Sequence, residues 1–156
     1  MKKLLLVTAC ALFAACATAP KTAQQPGGDF NNVTGKAWQL STVKTADGKI
    51  IFDMSKQNKE FFKDIFTLQF NDGRAAGKAS PNRYTAPLTV NGGKMTFGPA
   101  ASTMMLGIRE PEGLNEHEYF MLLAKVYKWN TAGDNLTLST VNGQNEKITM
   151  TFSKFN

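Results

Sequence analysis

Three groups of side chains in this 156-residue chain have the types and spacing to do chemistry. They are the pair Cys10 and Cys16, the single His117 among Glu110, Glu112, Glu116 and Glu118, and Ser41 with Lys44 three positions on. A disulfide between cysteines six positions apart would close a tiny loop inside an apolar run and hold nothing else. A metal at either cysteine would need partners that this region lacks. A histidine with carboxylates has the donors for a divalent ion, but side chains at i±1 on a helix point to different faces and do not converge. Acidic residues favoured at a helix N-terminus by the macrodipole account for that cluster more simply. Ser41-Thr42-Val43-Lys44 has the Ser-x-x-Lys spacing of some acylating enzymes, which carry the pair on a helix, whereas this segment alternates as a strand does. There is no Gly-x-Ser-x-Gly, no phosphate-cradling glycine loop and no dinucleotide fingerprint. The residues therefore predict a non-catalytic chain with no metal and no cofactor.

What precedes Cys16 gives that residue a different chemistry. Lys2 and Lys3 followed by "LLLVTACALFAA" form the basic and apolar regions of a secretory signal, too short for a transmembrane helix of roughly 20 residues. Phe13-Ala14-Ala15-Cys16 resembles a bacterial lipobox, with Phe13 where that pattern usually has Leu. Cys10 fits locally too, but cleavage there would leave an apolar region of only six residues. The alternative is an ordinary cleaved signal with Cys16 left as a thiol, or cleavage near Ala19. On the lipobox reading residues 1–15 are removed and Cys16 carries acyl groups, palmitate among them, each buried methylene contributing about 0.8 kcal/mol of membrane affinity. Ala17 is not the aspartate associated with inner-membrane retention, so the resemblance implies the outer membrane of a two-membrane cell envelope.

Residues 16–31 are rich in Pro, Gly, Gln and small side chains and read as a flexible tether. Residues 32–156 then make one domain of common size, long enough for a proper core. The whole chain has 18 Lys and Arg against 12 Asp and Glu; removal of Lys2 and Lys3 leaves 16 against 12, a net +4. The basic residues are scattered and not interleaved with aromatics, so nucleic acid is not an expected partner. Lys56, Lys59 and Lys63 at helical spacing read as a solvated face, or as one turned to anionic lipid or polysaccharide.

The elements that must hold these groups are mostly strands. Trp38, Leu40 and Thr42 alternate with polar residues, as do Phe66, Leu68 and Phe70; Tyr84, Ala86, Leu88 and Val90; and Met95 and Phe97. "VYKWN", Leu136 with Leu138, and Ile148, Met150 and Phe152 continue the scheme. The separators "ADG", "NDGR", "NGG", "AGDN" and "NGQN" suit tight hairpins, giving seven or eight antiparallel strands. One segment differs: Asn115 and Glu118 form a capping box ahead of Tyr119, Leu122, Leu123 and Val126, a helix of about three turns. A shorter helix is expected over residues 55–62. The expected fold is all-β, mainly antiparallel, with one packed α-helix: a small open or cracked β-barrel whose mouth or face the helix covers.

The order of these pieces resembles the META/HslJ domain. The residues that carry the resemblance are the opening Trp38-x-Leu40, Gly73-Arg74, Asn82-Arg83-Tyr84, the turn at residues 97–99, the Thr-x-Met core within residues 101–105, the acid-capped helix and "GDNLTLST". It spans residues 33–152. Many such domains read Gly-Cys-Asn-x-Tyr and then Thr-x-Met-Ala-Cys, a cysteine pair suited to a disulfide; here the positions read Ser80-Pro81-Asn82 and Leu106-Gly107. A bridge over such a loop would stabilise by roughly 3 kcal/mol, and this chain does without it.

The segment "AASTMMLG" admits two readings. In one, Met104 and Met105 fill irregular core space under the helix. In the other, Thr103, Met104, Met105, Asn82 and Tyr84 line a groove at the barrel mouth for an acyl chain or another protein's apolar segment, as in the secretin pilot lipoproteins that the META fold resembles. Function then has two candidates: a membrane-anchored envelope lipoprotein that contacts an envelope protein, with the stress-tolerance role the resemblance implies, or a module that binds a hydrophobic small molecule or lipid.

Overall fold

The computed structural model describes residues 27–155; the signal segment, Cys10, Cys16 and the tether through residue 26 lie outside them. Ten strands follow in order: β1 (Ala37–Thr45), β2 (Ile50–Asp53), β3 (Thr67–Asn71), β4 (Arg74–Lys78), β5 (Arg83–Asn91), β6 (Lys94–Phe97), β7 (Ala101–Ser102), β8 (Lys128–Ala132), β9 (Asn135–Val141) and β10 (Lys147–Phe155). The helices are α1 (Lys59–Phe62) and α2 (Glu116–Ala124). Every pairing is antiparallel, and the sheet runs β6-β5-β4-β3-β1-β10-β9-β8, with β2 also on β1 and β7 also on β5. No helix of the described residues is long and apolar enough to cross a membrane.

The alternation expected from the sequence is the inward face of this sheet. Trp38, Leu40, Leu68, Phe70, Tyr84, Ala86, Met95, Phe97, Leu136, Leu138, Ile148, Met150 and Phe152 are all buried in one cluster. In β1 the period breaks once. The pairing with β10 shifts by a residue between Leu40 and Thr42, so Val43 rather than Thr42 turns inward. Asp72 and Gly73, with φ of 47° and 71°, make the β3–β4 turn of the type that Asp-Gly favours.

Three strands lie beyond the alternating runs: β2 and β7 are only four and two residues long, and β4 reads "RAAGK", whose alanines and glycine carry little strand signal. The short helix is also split. A 3-10 turn over Met54–Lys56 precedes α1, and between them the Gln57 side chain donates to Asp53 O (3.2 Å) and Glu112 O (3.1 Å) and accepts from Glu112 N (3.0 Å). The longer helix is where the sequence places it. Asn115 Oδ1 accepts from Glu118 N and Glu118 Oε2 from Asn115 N, each at 2.9 Å, and Tyr119, Leu122, Leu123 and Val126 reach the core.

The sheet curls until β8 meets β6, where the barrel has an open seam held at one end. Trp129 N donates to Gly93 O (3.1 Å) and Trp129 Nε1 to Gly92 O (2.7 Å). The chain before β1 packs into this seam, so the folded unit begins before Asn32. The Phe30 ring lies 5.3 Å from Trp129 edge-on and 5.4 Å from Phe70. Gly27 passes so close to the β5–β6 turn that an added Cβ would sit 2.5 Å from Gly93 Cα. The tether therefore arrives at the turn end of β5, and residue 83 marks the opposite end, about 30 Å away at the usual rise per strand residue.

Candidate functional site

At that opposite end, the buried side chain of Asn82 ties two distant segments to the start of β5. Its Oδ1 accepts from Thr103 Oγ1 and Met105 N, both at 2.7 Å, and its Nδ2 donates to Glu116 Oε1 (2.7 Å) and Met105 O (3.2 Å). Glu116 Oε2 accepts from Ser80 N (3.1 Å) and Asn82 N (3.0 Å). Thr103 closes the frame: its N donates to Arg83 O (3.0 Å), and its Oγ1 accepts from Arg83 N (3.2 Å). A carboxylate on the first turn of α2 thus holds the start of β5, and β5 holds residues 103–105. Each partner is satisfied within the protein, so the cluster fixes a shape.

The frame brings Asn82, Thr103 and Met105 together through hydrogen bonds rather than around a cavity. Tyr84 lies deeper. Its hydroxyl donates to Thr67 O (2.9 Å) and meets Tyr119 Oη at 2.9 Å, with both rings buried. Met104 and Met105 are not core fillers beneath the helix. Met104 is 98% exposed and Met105 63%, because the Asn82 frame holds their backbone at the rim with the side chains outward. Leu106 and Ile108 are equally open, at 96% and 98%. Beside them the Arg109 guanidinium lies 3.8 Å over the Phe61 ring, and Phe61 is itself 42% exposed. A shallow groove of about 420 Å³ runs between this loop and α1, lined by Phe61, Ile65, Pro81, Leu106 and Ile108 among others.

The other chemistry-bearing groups stay apart from this rim. Ser41 is on β1, hydrogen-bonded to Ser153 Oγ at 2.7 Å, and a strand does not bring Lys44 back to it. His117 is exposed on the first turn of α2, and no three His, Cys, Asp or Glu side chains among the described residues form a metal-binding group. Lys56, Lys59 and Lys63 fall on the 3-10 turn, α1 and the residue after it.

Burial raises the pKa of both Tyr84 and Tyr119 well above the ordinary tyrosine value of 10. Folding therefore keeps both neutral while the unfolded chain ionises. Their contribution is complete below pH 10 and is lost as pH rises beyond it. Thermal unfolding from pH 8 to 11.5 is expected to show a level melting temperature that declines above about pH 10. Tyr119→Phe should cost about 1 kcal/mol at neutral pH and reduce the alkaline slope by about 1.4 kcal/mol per pH unit.

A family model, the META domain, matches residues 31–154. The chain belongs to the META domain family. Among solved structures it is similar to a protein from Burkholderia xenovorans determined by NMR, with 20% identity and a TM-score of 0.59 over 100% of this chain and 99% of that one. That likeness bears on the fold. No curated protein matches the chain. In this META domain the two positions where the resemblance places cysteines are neighbours: a Cβ added at Gly107 would lie 3.3 Å from Pro81 Cδ. The Asn82 frame ties the same two segments together here by hydrogen bonds.

Proposed function

We propose that this META domain is a non-catalytic contact module of an envelope lipoprotein, anchored through Cys16 and held in the outer membrane. The observation that carries the reading is the rim itself. Met104, Leu106 and Ile108 stand almost fully exposed beside Met105, whose backbone Asn82 holds. The other exposed large apolar side chains, such as Ile50, Phe61 and Tyr127, keep more than half of their surface covered, whereas these three are bare, and contiguous exposed apolar surface marks interaction sites. The lipobox-like Phe13-Ala14-Ala15-Cys16 and the tether supply the anchor. A role in stress tolerance is what the family resemblance adds.

The test is fractionation of cells expressing the full chain, together with a photo-cross-linker at residue 106. Wild-type protein is expected in the membrane fraction and Cys16→Ser in the soluble fraction, with cross-links that disappear when the label moves to residue 121. Wild-type protein in the soluble fraction would overturn the anchor. Absence of any cross-link at residue 106 would overturn the contact role.

A second reading is favoured by a groove elsewhere. Val43, Ile51, Leu114, Met121, Leu122 and Ile148 line about 400 Å³ between α2 and the β9–β10 turn, with His117, Asn142 and Gln144 at the rim. An apolar floor with a few polar groups suits a small hydrophobic ligand. Reproducible extra mass in native mass spectra of protein from its own cells, lost in Leu122→Trp, would favour it.

A further inference from the structure

We propose that the outer face of β1, β10, β9 and β8 docks a peptidoglycan strand. The inference rests on the reading of the chain as an envelope lipoprotein and uses a surface apart from the rim. Val43, Met150, Leu138 and Trp129 turn into the core, so the residues on either side of each point outward. Register aligns them. Lys44, Thr149, Ser139 and Lys128 form one row across the four strands, and Thr42, Thr151, Thr137 and Asn130 form the next. Neighbours stand about 4.8 Å apart across the strands and the rows about 7 Å apart along them.

Below these rows Ser41, Ser153 and Asn135 bond one another, whereas the five hydroxyls of the two rows and the Asn130 amide have no partner among the described residues. The other wall differs: Thr67 Oγ1 accepts from Lys78 N (2.9 Å) and Thr85 Oγ1 from Arg74 Nε (3.1 Å). No acid occupies either row, and a lysine closes the first at each end. Asp53, opposite Thr42 on β2, accepts from Ser55 N (2.9 Å) and Oγ (2.7 Å). Tyr127 is 44% exposed next to Lys128, its N–H on Ser139 O (3.1 Å), and offers a ring for a sugar to pack on. Free hydroxyls and an amide with no apolar side chain among them match a polyhydroxylated ligand. Their spacing across the strands is close to the rise of one sugar in an extended β-linked chain, and the lysines complement the carboxylates of its peptide stems. The stretch from Cys16 to Gly27 reaches at most about 40 Å, which keeps an anchored domain in the layer beside the membrane where the cell-wall polymer lies.

The test is co-sedimentation of the mature chain carrying Cys16→Ser with purified peptidoglycan sacculi at low and high salt. Saturable binding is expected, weakened on the order of 10-fold by Thr137→Val with Thr151→Val, which removes two hydroxyls and keeps the strand propensity. Lys44→Gln with Lys128→Gln should cost a similar factor at low salt and little at high salt, and Leu106→Lys should change nothing. Circular dichroism melts confirm that the variants fold. Absence of binding overturns the proposal, as does binding indifferent to both pairs. Equally tight binding to anionic phospholipid vesicles, lost in the same variants, overturns it in favour of a membrane surface. A chain that leaves sacculi unbound yet fractionates with membranes and gives the residue-106 cross-links overturns glycan docking alone and leaves the anchored contact role standing.

Discussion

Trp129→Ala is expected to destabilise the domain by about 3–5 kcal/mol, seen in calorimetry as a fall in melting temperature on the order of 12–16 °C. The ring is almost fully buried and packs edge-on against Phe30. Its Nε1 donates to Gly92 O in the turn where β8 and β6 meet. Removal leaves a cavity at the one place where the two edge strands are joined, and it strands a carbonyl that the indole had satisfied. Trp129→Phe separates the two contributions. It keeps most of the packing and loses the N–H, so a cost of about 1–2 kcal/mol is expected. A loss below 1 kcal/mol for the alanine variant would show that the seam holds without its staple.

Asn82→Ala is the second large effect, a loss of about 2–4 kcal/mol in urea unfolding. Four hydrogen bonds vanish together, leaving Met105 N–H and one Glu116 oxygen short of partners. Because the lost bonds converge on the rim, the damage is local as well as global, and trypsin is expected to cut at Arg109 before the rest of the domain opens. Asn82→Asp tests the polarity of the frame. It places a carboxylate where Nδ2 now lies 2.7 Å from Glu116 Oε1, so it should cost more than alanine at pH 7 and recover as pH falls through the carboxylate range. An aspartate variant as stable as wild type would show that Glu116 does not hold that end of β5.

Much of the barrel is legible in the chain because bulky residues on alternate positions leave few places to go. The inward faces of β3, β5, β6, β9 and β10 coincide with the alternation, and the capping box marks the start of α2 to the residue. The strands that escape notice are held by their neighbours rather than by their own side chains. β4 has only Ala75 fully inside, and β7 is two residues lying against β5. The rim was legible only in part. Asn82, Thr103 and Met105 stand out as residue types, but adjacent methionines suggest core, and what holds Met105 at the rim is Asn82, itself held by Glu116, a helix-first-turn acid that looks like an ordinary favourable charge. Three positions separated by 21 and 13 residues must be in place before that carboxylate has a meaning beyond its own helix.

The pairing of β1 with β10 sets the order in which this barrel can be completed. Ala37 lies opposite Phe155, so the strand made first has one neighbour among the last nine residues of the ladder. Hairpins such as β3–β4 and β5–β6 can close as soon as they are synthesised, but they form only one wall. The centre of the sheet stays missing until β10 is available, a topology of long loop closures that folds slowly. A chain whose β10 is still inside the ribosome or a pore is therefore held short of its native state. The last strand acts as a release signal for the whole domain, and truncation before Lys147 should leave a collection of hairpins rather than a smaller barrel.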